Sequence, residues 1–113
     1  MVVTNPGTVC AEAYVARSAA DVVCLVEVTK GLSTYRPPAW AEDYPADRFG
    51  ALLYATASPA QMKECILKTR DKRIGYCYIT DNTGPNPWGR LPRYWEEEVQ
   101  AVQQAALGEE MRR

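Results

Sequence analysis

Residues 50–80 read GALLYATASPAQMKECILKTRDKRIGYCYIT. The run GALLYAT is apolar and strand-like. Ser58-Pro59-Ala60-Gln61 then carries a helix-start signature, with Ser58 as N-cap, Pro59 at the first helical position and Gln61 closing a capping box. The spacing predicts a helix to about Lys72 that buries Met62, Cys65, Ile66 and Thr69 on one stripe. IGYCYIT, rich in β-branched and aromatic residues, follows as a second strand. A strand, a helix and a strand in this order predict a parallel pair joined by a right-handed crossover.

The same reading extends in both directions. Upstream, VVCLVEV at 22–28 is nearly all apolar, as a parallel strand covered on both faces would be. A first strand over Val2-Val3-Thr4 ends at Asn5-Pro6-Gly7, and a short helix is expected over Cys10–Ser18. Residues 29–48, with Gly31, Pro37, Pro38 and Pro45, read as a long loop holding one helical turn around AWAED. Downstream, Gly84, Pro85, Pro87, Gly89 and Pro92 mark a turn-rich connection longer than packed elements usually need. A last helix is expected from about Arg93 to Leu107, capped by Gly108, with Val99, Val102 and Ala106 inward and Glu96, Glu97 and Glu98 solvated at its positive end. The order β-α-β-loop-β-α-β-α predicts an α/β fold in a single domain over 1–113. Its four parallel βα units amount to half of a (β/α)8 TIM-type barrel.

Composition narrows the function. The 113 residues are enough for one modest core, and 47% are hydrophobic, which excludes a disordered chain. Lys and Arg number 13 against 14 Asp and Glu, a net charge of -1 that argues against a sequence-independent nucleic-acid binder. No apolar run approaches the roughly 20 residues of a membrane span. The start, MVVTNPG, has neither a basic n-region nor a long apolar h-region, so the chain reads without a signal peptide. Histidine is absent, which removes Ser-His and Cys-His catalysis and imidazole metal ligands together. Cys10, Cys24, Cys65 and Cys77 include no Cys-x-x-Cys pair. They read as small buried hydrophobes, with a disulfide left open. Nothing in the chain calls for a metal or a cofactor.

Each expected strand ends in a polar residue: Asn5, Glu27, Thr56, and Thr80 with Asp81. Active sites of parallel α/β folds lie at those carboxyl ends. For Asn5 and Thr56 the plain account suffices, since loops begin there. Glu27 interrupts an apolar run, where a carboxylate is costly unless paired or set in a wet cleft. Simple alternation puts it on the face of Leu25 and Val23. It reads either as a site residue at a barrel mouth or as an ion-pair partner of Lys30 or Arg36. Asp81 fits an Asx turn as well as a site. Tyr78 shares the face of Thr80, available for stacking on a sugar or for packing the core. Trp40, Trp88 and Trp95 all read as strand-end loop residues, as sugar platforms or as loop packing.

NPGT at 5–8, VE at 26–27 and above all GYCYITDNTGPNPWGRLPRYWEEEV at 75–99 resemble the spherulin-4-like proteins, spherulation-specific family 4. The last block follows a pattern of the form GYVYVTDD-x-x-PNPW-x-x-LP-x-YW, with Asn82 where the family favours a second Asp. The resemblance covers essentially the whole chain and corresponds to the C-terminal half of the family domain. It implies a (β/α)8 barrel of which this chain supplies units five to eight. It also implies glycoside hydrolysis of N-acetylgalactosamine-containing polysaccharide of the cell wall or matrix, at an extracellular or cell-surface location. By the same resemblance Glu27 is the acidic residue closing a later barrel strand. A further Asp-Glu pair is expected upstream of Met1.

Glycoside cleavage uses two carboxyl groups roughly 5–9.5 Å apart, and Glu27 alone cannot serve both roles. The expected site is therefore Glu27 as the catalytic carboxylate, with Asn5, Tyr78, Thr80 and Asp81 toward the polysaccharide substrate. Hydrolysis is assigned to the complete barrel rather than to this chain alone. The alternative is a non-catalytic carbohydrate-binding or interaction half-barrel. Its open edges would self-associate or pair with an N-terminal half.

Overall fold

The computed structural model describes residues 1–17, 20–28, 32 and 35–111, the side chains of 109–111 excepted. Its strands are β1 (Val3–Thr4), β2 (Val22–Val28), β3 (Phe49–Leu53) and β4 (Tyr76–Ile79). The helices are α1 (Ala13–Ala16), α2 (Pro59–Asp71) and α3 (Trp95–Met111), and 3₁₀ turns occupy Ala39–Asp43 and Ala46–Arg48. The four strands form one parallel sheet in the order β1-β2-β3-β4. Sequential parallel strands with crossovers of one hand carry every connection over the same face. The opposite face is left bare.

The covered face holds the core. Val23 and Leu25 of β2, Phe49, Ala51 and Leu53 of β3, and Ile79 of β4 pack with Met62, Cys65 and Ile66 of α2. The α2 stripe is the expected one: Met62, Cys65, Ile66 and Thr69 are all buried. Its capping is reciprocal. Ser58 Oγ accepts the Gln61 N–H at 3.2 Å, and Gln61 Oε1 accepts the Ala57 N–H at 3.1 Å. Truncation by Ser58→Ala is expected to cost about 1 kcal/mol, read as a shift of the urea midpoint with an unchanged slope. At the other end Arg73 takes the left-handed position at φ 60°. Its N–H and that of Ile74 return to Arg70 O and Thr69 O, closing a Schellman turn. The guanidinium contributes there too, donating to Glu42 O and Tyr44 O.

Several expected elements are corrected. The first helix is a single turn, Ala13–Ala16, rather than Cys10–Ser18, and Ser18 lies outside the described residues. The third strand ends at Leu53 instead of Thr56 because Ala55 turns left-handed at φ 55°. Pairing nevertheless resumes beyond it, from Ala55 N–H to Asn82 O and from Thr56 N–H to Thr80 O. Gly108 does not cap α3, which continues to Met111. Gly108 lacks the positive φ of a C-cap glycine, and a lone interior glycine costs a helix only about 1 kcal/mol.

The larger correction is the rotation of α3. Its packed face is Glu98, Ala101 and Ala105, while Val99 and Val102 are exposed at 37% and 41%. Hydrophobicity alone points the valines inward. The sheet edge decides otherwise, because the Ile79 N–H of β4 needs an acceptor and Glu98 Oε1 supplies it at 2.8 Å. Small alanines behind Glu98 then let the helix lie close. Glu98 is thus 3% exposed rather than solvated. The four cysteines are free, Cys24 and Cys65 buried and Cys10 and Cys77 half-buried.

Candidate functional site

The carboxyl ends of the strands gather the polar and aromatic side chains. On β2 the pairing register shifts between Cys24 and Val26, so a bulge absorbs one residue. Cys24 then stands opposite Gly50, and Glu27 opposite Leu52. Both side chains lie on the bare face, against the expectation that Glu27 follows Leu25 and Val23. A bulge shifts the alternation by one, and no pattern in VVCLVEV announces it. Two observations agree with this placement. Burial first, and then the Glu27 charge, raises the Cys24 thiol above its ordinary pKa. A Cβ on Gly50 would stand 2.9 Å from Cys24 Sγ, which explains the smallest residue at that crossing.

Glu27 is half-buried and accepts a hydrogen bond from Asn5 Nδ2 at 3.3 Å. The turn after β1 delivers this contact. Gly7, at φ +72°, folds the Asn5-Pro6-Gly7 segment back, and its N–H reaches Cys24 O at 3.2 Å. A Cβ at Gly7 would sit 3.4 Å from Glu27 Oε2, in a backbone conformation that already disfavours side chains. Glycine therefore keeps one carboxylate oxygen open while asparagine holds the other. Among the described residues the polar partner of Glu27 is Asn5, not Arg36, and Lys30 lies outside the described residues.

Leu52 is in turn opposite Tyr78, so Glu27, Leu52 and Tyr78 form one row across three strands. At about 4.8 Å per strand, Glu27 and Tyr78 are rooted roughly 10 Å apart. Aromatic rings continue the row. Trp88 meets Tyr54 edge-on at 5.6 Å between centroids and Tyr78 at 6.1 Å, and Tyr78 also meets Trp95 at 6.0 Å. Trp40, by contrast, packs on Tyr44 and on Phe49 at the start of β3, away from this end.

Thr80 and Asp81 hold the loop. Thr80 is fully buried, its Oγ1 accepting the Asn82 N–H at 3.1 Å. Asp81 Oδ1 accepts the Arg93 N–H at 3.3 Å, and Oδ2 lies 3.8 Å from Arg93 Nε. Asn82 Nδ2 donates to Arg90 O at 2.8 Å, and the Tyr94 hydroxyl donates to Thr56 O at 2.9 Å. These bonds join both ends of the 81–94 segment to the sheet and fix Trp88 in place. The structure thus brings Asn5 and Glu27 into contact and sets Tyr78 in their row, while Thr80 and Asp81 serve the loop that carries Trp88.

Sequence reasoning passed over Tyr54, Tyr94 and the burial of Glu98. Glu98 had one legible sign, the small residues Ala101 and Ala105 at i+3 and i+7 on its own face. Burial raises its carboxyl to a pKa of about 7, opposed by the Ile79 N–H, and Oε2 is buried without a protein partner. Glu98 lies at the outer edge of β4 and not in the Glu27 row. Among the described residues no cluster of His, Cys, Asp or Glu is suited to a metal ion, and no helix is long and apolar enough to cross a membrane.

Residues 1–102 match the sequence profile of spherulation-specific family 4. The chain belongs to this family. A likeness of shape accompanies it: the crystal structure of Aspergillus clavatus Sph3 in complex with GalNAc superposes with a TM-score of 0.63 at 17% identity. That superposition covers 89% of this chain and 41% of the Sph3 chain, and at such identity the likeness is one of fold. No curated protein sequence matches.

Proposed function

We propose that this chain builds one wall of a carbohydrate site in a glycoside hydrolase-like half-barrel of four βα units. The substrate class is N-acetylgalactosamine-containing polysaccharide at the cell surface or outside the cell. The observation that carries this reading is the Asn5–Glu27 hydrogen bond, in register with the Tyr78 and Trp88 rings at the carboxyl end of a parallel sheet. Family membership and the GalNAc bound to Sph3 support the choice of sugar.

Each residue has a role that its chemistry fits. Glu27 acts on the glycosidic bond as acid, base or nucleophile. Asn5 positions it, donating to one oxygen and leaving the other for substrate or water. Tyr78 and Trp88 offer apolar faces to a pyranose ring, where aromatic contact favours the C–H surface of the sugar. Asp81 keeps that wall rigid through Arg93. One carboxylate does not complete hydrolysis, so a single copy is expected to bind and not to cleave.

Titration calorimetry with a GalNAc oligosaccharide tests this reading. Trp88→Ala is expected to weaken binding about tenfold, the loss of one ring contact worth roughly 1–1.5 kcal/mol. Leu67→Ala, on the exposed outer side of α2, is expected to change nothing. Binding that survives Trp88→Ala and Tyr78→Ala unchanged would remove the site from this wall.

A further inference from the structure

The end of β3 carries a local strain. Ala55 holds φ 55°, in the left-handed region that a Cβ disfavours. Such a conformation persists where its surroundings over-determine it. Here two backbone bonds do so: Ala55 N–H donates to Asn82 O at 2.9 Å, and Thr56 N–H to Thr80 O at 3.0 Å. The corner after β3 is thereby tied to the root of the 81–94 segment, which carries Trp88.

What the corner fixes is Tyr54. Leu52 stands opposite Glu27, and Tyr54 follows it by two residues on the same face, one step nearer the carboxyl end. The Tyr54 N–H still pairs with Val28 O at 3.2 Å, so the residue keeps its strand position beside β2. By strand spacing and rise, Tyr54 is rooted about 8 Å from Glu27. Its half-buried ring meets Trp88 at 82°, with 5.6 Å between centroids. Two rings in that relation leave a right-angled corner whose sides are one face of each. Tyr78 braces the same indole from β4, tilted at 58°.

We propose that Tyr54 selects the N-acetyl group, packing the acetamide methyl of GalNAc while the pyranose lies on Trp88. This assignment rests on the carbohydrate reading above and adds to it the substituent that is recognised. The axial O4 of a galacto sugar leaves the C–H bonds of C3, C4 and C5 together on one face, which suits the indole. The acetamide at C2 is equatorial and leaves the sugar close to the plane of its ring. A side chain perpendicular to the platform stands across that path. The acetamide methyl is the one wholly apolar group among the sugar's substituents, and burying it against Tyr54 is worth about fivefold in affinity. Galactose has no such methyl and gains nothing from that ring.

Titration calorimetry with a GalNAc oligosaccharide and a galactose oligosaccharide of the same linkage and length tests the assignment. The wild type is expected to prefer the first about fivefold. Tyr54→Ala should remove that preference, lowering affinity for the GalNAc probe and leaving the galactose probe within about twofold. Tyr54→Phe, which restores the ring, should restore the preference. The wild-type complex has a readout of its own: a nuclear Overhauser contact between the acetamide methyl and the Tyr54 ring protons. Absence of that contact overturns the proposal, as does a preference that survives Tyr54→Ala. An equal loss for both sugars overturns it too, since Tyr54 would then only support Trp88. Binding of both sugars without preference overturns it and leaves the carbohydrate reading standing. A wild type that binds neither overturns the carbohydrate reading, and this assignment with it.

Discussion

Glu27→Gln is expected to lower cleavage of GalNAc-containing polysaccharide by the complete barrel about 10²- to 10⁴-fold, the range for loss of a positioned proton-transfer group. Glutamine keeps the acceptor for Asn5 Nδ2, so the Asn5-Pro6-Gly7 turn and the sheet register should persist. Oligosaccharide affinity is expected to stay within about threefold, because the sugar's apolar contacts lie with Tyr78 and Trp88. A fall in kcat with a steady KM is thus the signature. Asn5→Ala, by contrast, acts through Glu27 as the loss of a positioning residue. It frees the carboxylate to rotate and should lower kcat with KM nearly unchanged. An unchanged turnover in Glu27→Gln would contradict the assignment outright.

The second large effect is on stability. Glu98→Gln is expected to stabilise the protein at pH 8 by about 1–2 kcal/mol and to flatten its pH dependence. The folded-state pKa is raised, from 4.5 to about 7, by burial. Such a group contributes fully below its unfolded value, and the contribution is lost as pH rises through the folded one. Wild-type stability should therefore fall between about pH 4.5 and 7 and level off above. The whole shift corresponds to at most about 3 kcal/mol, and solvent screening at a sheet edge reduces it to the figure given. Three titratable groups feel the Glu98 charge. Cys77 on β4 is pushed up to about 11 mainly by burial, and Tyr78 and Tyr94 are also raised, so all three are neutral throughout that window. Glutamine accepts the Ile79 N–H as well as glutamate does and carries no charge into the core. Urea unfolding at pH 4, 6 and 8 gives the comparison, and a wild-type curve that rises from pH 5 to 8 would contradict the account.

The βαβ unit at the centre of the chain was legible because its signals are local. Ser58, Pro59 and Gln61 state the start of α2, and the Met62, Cys65, Ile66 and Thr69 spacing states its buried face. The contact of Asn5 with Glu27, and Tyr78 in their row, join residues that the sequence marks as polar or aromatic at strand ends. What the sequence concealed depends on partners far along the chain. The β2 bulge, which carries Glu27 to the bare face, is set by register against β3 and leaves no mark in the alternation. The rotation of α3 follows from an unpaired N–H on β4, a demand that outweighs the hydrophobicity of Val99 and Val102. For Thr80 and Asp81 the sequence leaves turn and site alike, because both use the same side chains, and only the fold shows their bonds to Asn82 and Arg93.

The most direct test of the central claim is the location of the sugar. Backbone and side-chain amide shifts should be followed as a GalNAc oligosaccharide is titrated into the protein. The expected result is saturable perturbation of Asn5 Nδ2–H, Gly7, Glu27, Tyr54, Tyr78 and the Trp88 indole together, tracing the row from β1 to β4. Perturbation confined to the outer groove between α2 and α3, at Ile66, Leu67 and Ala105, would contradict it.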